Sequence, residues 1–207
     1  CEEARKKKLT HCPAAHPSCL FLGKARKPVR DTAWQSWFCQ FLGVPIPALG
    51  PLCKERRVCA CGRHVIDEYG DHVHTCKKHT GSTKSAHETV LDAVEALCHQ
   101  AGLSTERRNI PTVKKKNGKT GQGDLVIKGA NLGGDTNLII DVALIHEFGG
   151  NHMADVSLNG ALRHAQPDKL LEAAARTKVH RYREAYATRS GVTYAFLPCV
   201  ISTSGRI

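Results

Sequence analysis

The chain has 207 residues, and 41% of them are hydrophobic, which is enough for a folded core and excludes wholesale disorder. Lys and Arg number 30 against 19 Asp and Glu, for a formal charge of +11. Such a basic chain favours a polyanionic partner, with nucleic acid ahead of an anionic membrane surface. No apolar run approaches the ~20 residues of a membrane span, and the N-terminus lacks the apolar core of a signal peptide, so we expect no membrane partner.

The cysteines indicate the compartment. The chain contains ten of them in 207 residues, and several cluster with histidines. This pattern favours metal binding in a reducing, intracellular compartment over a secreted disulfide scaffold. We therefore expect a nuclear or nucleo-cytoplasmic location. Because the chain does not begin with methionine, we also expect it to be a segment of a larger parent polypeptide.

Residues 1–57 are predicted to form a basic N-terminal extension that is mostly helical or irregular. It includes a Trp-rich helix over 31–42, where apolar residues recur at helical spacing behind a plausible N-cap, Asp31. Ahead of this helix, one group of side chains has the spacing of metal ligands and could form a second zinc site; the alternative is a terminal segment without metal. The members of that group are His11, Cys12, His16 and Cys19.

Residues 58–80 are predicted to form a zinc knuckle. Two thiolates lie in a tight turn, and an imidazole and a third thiolate return after a short excursion, which suits a tetrahedral structural zinc. His74 and His79 are spare imidazoles that could replace His72; the alternative is a set of buried free cysteines with solvated histidines. A closed site of this kind leaves no position for water, so we assign it no catalysis. The predicted ligands are Cys59, Cys61, His72 and Cys76.

Residues 81–207 are predicted to form an α/β (α+β) core in the order α-β-β-β-α-β. The first helix is expected from about Ser85 to Ala101, and a short strand and a basic, Gly-rich turn follow it. The segments "DLVIKG" and "NLIIDVALI" are the next two strands. A loop over 149–167 leads to a helix with Asp168 as its cap, and "GVTYAFLPCVIS" is the closing strand.

Two aspartates occupy costly positions in this core. Asp124 opens one strand, and Asp141 lies inside the apolar run of the next. A lone buried carboxylate is penalised unless it is paired or bound to metal. If the two strands are neighbours, both carboxylates converge at one edge of the sheet and can bind Mg²⁺. The alternative is a buried aspartate in a salt bridge.

Three further side chains adjoin this predicted site. Lys178 falls on or beside the apolar stripe of the last helix, where it could position a water or stabilise a phosphate, or else extend to solvent. His87 and Glu88 lie in the first turns of the earlier helix. A carboxylate there could complete a metal shell, or could simply suit the helix dipole.

These motifs occur in one order along the chain: "CACG", "GDH…C", "AHE" opening a helix, "GD…IIDVAL" and "Lys178-x-x-x-Tyr182". Together they resemble the restriction-like endonuclease domain of site-specific non-LTR retrotransposons and related retroelement-derived proteins, which belongs to the PD-(D/E)xK nuclease superfamily. The resemblance covers about residues 58 to 205. It implies a mixed central sheet flanked by helices in the order α-β-β-β-α-β, which is the order read from the residues themselves.

The resemblance also assigns roles to individual residues. Asp124 matches the aspartate of the Pro-Asp motif, and Asp141 matches the second acidic ligand. Lys178 resembles the catalytic lysine that has moved into a helix, with Tyr182 beside it, and His87 resembles the histidine of an Arg-His-Asn motif.

Three positions depart from that pattern. Gly123 replaces the usual proline, and Ala143 stands where many superfamily members keep lysine. Glu88 stands where asparagine is expected.

These features predict a DNA endonuclease that uses Mg²⁺ or Mn²⁺ and a structural Zn²⁺, and acts on double-stranded or branched DNA. Two alternatives remain: a catalytically inactive, zinc-stabilised nucleic-acid-binding module, and a structure-selective, resolvase-like nuclease of the same superfamily. The residues expected to contact the DNA backbone are Arg107, Arg108, Lys114, Lys115, Lys116 and Lys119.

Overall fold

We analysed a computed structural model of the chain. It describes residues 31–55, 58–114, 118–130, 136–150, 159–187 and 192–203. The possible second zinc site lies outside the described residues, as do Lys115 and Lys116. The described residues fall into two compact units. The first runs to Lys84 and includes Ile145–Leu170 and the residues from Ser202; the second consists of Ser85–Leu144 and Leu171–Ile201. The expected division into three regions stays a prediction.

The first unit consists of short helices joined by turns. Helix α1 spans Asp31–Leu42, as its apolar spacing predicted, and the 3₁₀ turn Pro47–Leu49 and helix α2, Gly50–Lys54, follow. Helix α3 spans Asp71–Thr75, and a 3₁₀ turn spans Lys77–His79. The N-terminal helices pack on the Cys/His stretch. The Ile46 amide donates to the carbonyl of Glu68 at 2.8 Å, and the Cys53 thiol donates to the carbonyl of Ile66 at 3.3 Å.

The second unit is built on a four-stranded sheet. Helix α4 spans Thr80–Gln100 and leads into strand β1, Ser104–Glu106. Strands β2, Val113–Lys114, and β3, Thr120–Gly121, form a separate hairpin. The remaining elements are β4, Leu125–Lys128, β5, Asn137–Ile145, α5, Pro167–Ala187, and β6, Tyr194–Ser202. The strand order of the sheet is β1-β4-β5-β6.

The sheet is mixed. Strands β1, β4 and β5 pair antiparallel. The Asn137 amide donates to the carbonyl of Thr193 at the start of β5 and β6, and the Thr203 amide donates to the carbonyl of Ile145 at their end. The same ends of the two strands therefore meet, so β5 and β6 run parallel with α5 as their crossover.

A hydrophobic cluster covers each face of the sheet. Leu91 and Cys98 of α4 pack with Leu125, Ile140 and Val142 on one face. Tyr182 and Tyr186 of α5 pack on the other face with a second set, Val126, Ile139 and Phe196. Because side chains alternate along a strand, β4 and β5 contribute residues to the hydrophobic clusters on both faces of the sheet. Both strands are consequently buried on two faces, which explains why they read as continuous apolar runs.

The mixed α/β architecture confirms the predicted fold class, whereas the finer assignment to a PD-(D/E)xK core stays a prediction. Two boundaries differ from expectation. Helix α4 begins at Thr80, because the polar residues that precede Ser85 continue the helix without adding to its apolar stripe. Helix α5 begins at Pro167, so Asp168 lies in the first turn and not at the cap. The segment 104–123, expected to be one short strand and a turn, contains strand β1 and then the hairpin β2–β3.

Candidate functional site

A single carboxylate fixes the loop that presents the Cys/His cluster in the first unit. Asp67 Oδ1 accepts hydrogen bonds from the amides of Tyr69 and Asp71, at 3.1 and 2.9 Å, and Oδ2 accepts one from the amide of His72 at 2.9 Å. Gly70 lies between them in the left-handed region, with φ 74°, a conformation that glycine adopts without steric cost. The loop therefore delivers His72 to the start of α3 in a fixed orientation.

The four predicted zinc ligands meet at one point. Their ligand atoms, three Sγ and one imidazole nitrogen, all lie within 4.8 Å of one another. The Cys59 and Cys76 sulfurs are 3.8 Å apart, and Cys61 Sγ is 3.4 Å from His72 Nε2. Ideal zinc bonds in a tetrahedron give edges of about 3.8 Å between two sulfurs and about 3.6 Å between sulfur and nitrogen. The cluster thus fits a structural metal such as zinc.

The second nitrogen of His72 is engaged within the same unit. Nδ1 lies 2.7 Å from the carbonyl oxygen of Gly150 and is placed to donate to it, which leaves Nε2 as the ligand atom. The approach is close because Gly150 has no side chain. A Cβ there would lie 2.5 Å from the carbonyl oxygen of Asp71.

Local hydrogen bonding also lowers the pKa of one thiol of the cluster, that of Cys61. The pKa of Cys61 is lowered to about 6, chiefly by the hydrogen bond from the backbone at Arg63 and also by the His72 imidazole, against the opposing effect of burial. Burial raises the pKa of Cys59. Because the thiolate is the form that binds metal, Cys61 is available as a ligand at lower pH than Cys59.

His74, one of the two spare imidazoles, faces away from the cluster. Its Nε2 is hydrogen-bonded to the side-chain amide of Gln40, and its ring stacks on that of His146 with centroids 4.8 Å apart. His146 in turn bonds to Asp71 at 3.0 Å and to the Thr203 hydroxyl at 2.7 Å. Asp71 and His146 at the centre of this network are buried, and the network braces the loop that carries His72. The residues adjacent to it in sequence did not predict it.

The two aspartates of the second unit meet across neighbouring strands. Leu125 pairs with Ile140, so the preceding residue, Asp124, stands opposite Asp141. The Asp124 amide donates to the carbonyl of Ile140 at 2.8 Å, and Asp124 Oδ2 accepts from the Val142 amide at 2.7 Å. Burial raises the pKa of Asp141, and the nearby Asp124 carboxylate adds to the rise. This is the convergence that the sequence predicted for adjacent strands.

The helix-borne lysine faces these carboxylates. Lys178 Nζ lies 2.7 Å from Asp141 Oδ2 and 3.1 Å from the carbonyl oxygen of Val142, to which it donates. Only 7% of the Asp141 side chain and 22% of the Lys178 side chain is exposed. Lys178 therefore does not extend to solvent, and its charge counteracts the rise in the pKa of Asp141.

His87 extends the site toward α4. His87 Nε2 lies 3.2 Å from Asp124 Oδ2, and Nδ1 lies 3.7 Å from a carboxylate oxygen of Glu88. Glu88 is half-exposed and 3.9 Å from the guanidinium of Arg107. The structure thus brings five of the six predicted catalytic residues into one connected set, which contains Asp124, Asp141, Lys178, His87 and Glu88.

Tyr182, the sixth predicted catalytic residue, lies in the hydrophobic core. Its ring packs on that of Phe196, with centroids 5.2 Å apart. The tyrosine that reaches the site is Tyr186, one helical turn further on, which the sequence analysis missed. Its hydroxyl accepts from the Gly123 amide at 2.9 Å and donates to the carbonyl of Pro111 at 3.0 Å. Tyr186 therefore holds the residue immediately before Asp124.

The predicted DNA contacts divide into two groups. Arg108, Lys114 and Lys119 are exposed, and the last two lie on or beside the hairpin β2–β3. The Arg107 guanidinium instead lies 2.7 Å from Asp92 and 2.9 Å from Glu95, within a set of acidic side chains along α4. The Arg107 guanidinium thus forms ion pairs within the protein, in place of the surface position expected for a DNA contact.

Comparison of the chain with protein-family models, with curated proteins and with solved structures finds no match. Among the helices of the described residues, none is both long and apolar enough to cross a membrane. The case for any function therefore rests on the two clusters themselves.

Proposed function

We propose that the second unit is a metal-dependent DNA endonuclease domain that hydrolyses phosphodiester bonds. One observation carries the proposal: two carboxylates on adjacent strands meet an ammonium group 2.7 Å from the second of them. A buried aspartate is costly, and its burial raises its pKa. Perturbed carboxylates of this kind concentrate at functional sites.

The oxygen donors suit a hard cation. Asp124 and Asp141 would hold Mg²⁺ or Mn²⁺, which prefer carboxylate ligands and keep several waters. When bound, the cation lowers the pKa of a water and offsets negative charge on the phosphate. His87 and the Val142 amide keep the Asp124 carboxylate in place, since both contact its Oδ2 atom.

Lys178 has a separate role in the proposal. Its ammonium group is held between Asp141 and the carbonyl of Val142, so its position is set before substrate arrives. From there it can donate a hydrogen bond to a phosphate oxygen and stabilise charge that develops in the transition state. Ala143, two residues after Asp141, cannot do this, and α5 supplies the lysine instead.

The net charge of +11 supports a nucleic-acid substrate. The basic hairpin β2–β3 and Arg108 would contact the DNA backbone, which contributes affinity and salt dependence but no sequence preference. The sequence resemblance extends the proposal to a retroelement-type parent protein, in which the nick would expose a target-site 3′ end to prime reverse transcription. In such a protein the Cys/His cluster would hold a structural Zn²⁺.

A second candidate function has its own supporting observation. Both contacts of the Lys178 ammonium group are made inside the protein. A buried ion pair of this kind is also what an inactive fold would retain for structure. The second candidate is therefore a zinc-stabilised nucleic-acid-binding module without catalysis.

A plasmid assay on the full chain separates the two candidates. Supercoiled DNA is incubated with the protein and Mg²⁺, Mn²⁺ or Ca²⁺, beside the Asp141→Asn variant and an exposed control, Asp168→Asn. We expect nicking with Mg²⁺ or Mn²⁺ by the wild type and the control. The Asp141→Asn rate should fall roughly a thousandfold, since about 4 kcal/mol of transition-state stabilisation corresponds to that factor.

DNA binding is measured on the same samples in Ca²⁺. Intact plasmid with retained binding overturns the nuclease and supports the module. Nicking that persists in Asp141→Asn also overturns the assigned site, because it would come from elsewhere in the sample. Faster cleavage of a four-way junction than of linear duplex supports the nuclease and identifies its substrate as branched DNA.

A further inference from the structure

The Cys/His cluster has an imidazole beside it that belongs to none of the four predicted ligands. His79 Nε2 lies 3.3 Å from Cys59 Sγ. That distance matches the 3.4 Å between His72 Nε2 and Cys61 Sγ on the other side of the cluster. Both values are close to the edge of about 3.6 Å expected between sulfur and nitrogen on one zinc ion.

The backbone holds His79 in this position. Its amide donates to the carbonyl of Cys76 at 3.1 Å, inside the 3₁₀ turn Lys77–His79, and the next amide back, that of Lys78, donates to Cys76 Sγ at 3.4 Å. Cys76 and His79 are thus separated by two residues, a spacing typical of zinc ligand pairs. His74 has no such relation to the cluster, because it is bonded to Gln40 and stacked on His146.

The two imidazoles differ in what their placement requires. His72 is oriented by the carbonyl of Gly150, which lies 78 residues away along the chain. His79 depends only on its own turn, which is three residues long. A site closed by His79 would therefore need no residue beyond the 58–80 segment.

We propose that His79 is a reserve zinc ligand, which completes a Cys₃His site with Cys59, Cys61 and Cys76 whenever His72 is not in place. The site then keeps a four-coordinate metal in two alternative donor sets of the same chemical type. The proposal is independent of the nuclease, since it concerns only how the first unit holds its metal.

Metal binding by single and double variants tests this proposal. Reduced, metal-free protein is titrated with Co²⁺, whose absorption distinguishes three sulfurs and one nitrogen from three sulfurs and one water, and Zn²⁺ affinity is then measured by competition. We expect His72→Ala to keep the three-sulfur, one-nitrogen spectrum and to bind Zn²⁺ within about 100-fold of wild type. The double variant His72→Ala/His79→Ala should lose that spectrum and bind more than a further hundredfold weaker, a larger loss than outer-sphere partners cause.

The matched control is His72→Ala/His74→Ala, which removes an imidazole from the same stretch and should behave as His72→Ala alone. The proposal is overturned if His72→Ala already shows one water in place of nitrogen, or if the two double variants are indistinguishable. If the wild type gives no tetrahedral Co²⁺ spectrum, the metal site itself is overturned. The plasmid assay tests the second unit, so none of these results decides whether the protein cleaves DNA.

Discussion

The two clusters of this protein collect their side chains in opposite ways. In the first unit, three sulfurs and one nitrogen come from one stretch of 18 residues, Cys59–Cys76, and their ligand atoms lie within 4.8 Å of one another. In the second unit, two carboxylates and an ammonium group come from the residue before β4, from β5 and from α5, and the ammonium group is ion-paired with Asp141. We expect the first arrangement to depend on a metal for its stability, whereas in the second the Lys178 ammonium group already offsets the charge of Asp141. The difference agrees with the roles proposed for them, a closed structural metal site and a site with a positively charged group placed to stabilise developing charge.

The largest effect is expected on removing metal from the first unit. Zinc binding supplies about 10–16 kcal/mol in small zinc modules, so chelation or Cys76→Ser should unfold the 58–80 segment. Hydrogen exchange of its amides is the measurement, with Cys39→Ser on α1 as the control that loses a thiol outside the cluster. If the 58–80 amides keep the same protection from exchange in protein proven free of metal, the cluster is stable without metal. The contrast between the two clusters would then be wrong.

The next effect concerns Lys178. Replacing it with methionine removes the ammonium group but keeps most of the side-chain volume. Cleavage should fall roughly 10²–10³-fold, the range seen when one transition-state donor is lost. Lys169→Met, on the exposed side of the same helix, is the control and should cleave normally. Equal rates for Lys178→Met and wild type would show that the ion pair is purely structural.

A smaller loss is expected for Tyr186→Phe. The Gly123 amide and the Pro111 carbonyl would lose their partner, which costs about 1–3 kcal/mol of stability for buried groups. We also expect a cleavage rate roughly tenfold lower and a higher Mn²⁺ requirement, because a displacement near Asp124 misplaces a ligand. Tyr194→Phe removes a hydroxyl from the ring that packs on Tyr186 and is the control. A loss of stability with unchanged Mn²⁺ dependence would limit Tyr186 to the core.

The smallest effect is a pH dependence of stability in metal-free buffer. The pKa of Asp141 is raised by burial above its ordinary value of 3.8, so the folded state binds its proton more tightly than the unfolded state. Unfolding free energy of the wild type should therefore fall, relative to Asp141→Asn, as pH rises from below 3.8 through the folded pKa. Chemical denaturation at several pH values measures this. A difference that grows in the wild type's favour would mean that the pairing with Lys178 outweighs burial.

Much of the first cluster could be predicted from sequence because its ligands are local. Cys59 and Cys61 share a turn, His72 lies in the five-residue helix α3 and Cys76 caps the end of that helix, so their spacing determines their convergence. The partner of His72, Gly150, and the support from His146 could not be predicted. Both arise from a segment that returns to the loop from far along the chain, and nothing in the intervening sequence specifies that return.

For the second cluster, the sequence predicted the residues whose positions follow from the pairing of adjacent strands and from helical spacing, and no others. Adjacent apolar strands place Asp124 opposite Asp141, and helical spacing turns Lys178 toward the sheet. Arg107 appeared to be a surface DNA contact because its acidic neighbours lie 12 and 15 residues earlier, on α4. Tyr186 was indistinguishable from Tyr182 in sequence, since both follow the same helical stripe and only the register of α5 against β4 selects one of them.

Gly123 has a consequence for how this chain can vary. A Cβ at this position would clash with Ile139 Cγ2, and the Gly123 amide donates to the Tyr186 hydroxyl. A proline here would collide with that isoleucine and remove the N–H group that donates to the tyrosine hydroxyl. Positions 123, 139 and 186 therefore form an epistatic set, in which a proline becomes tolerable only after the other two have changed.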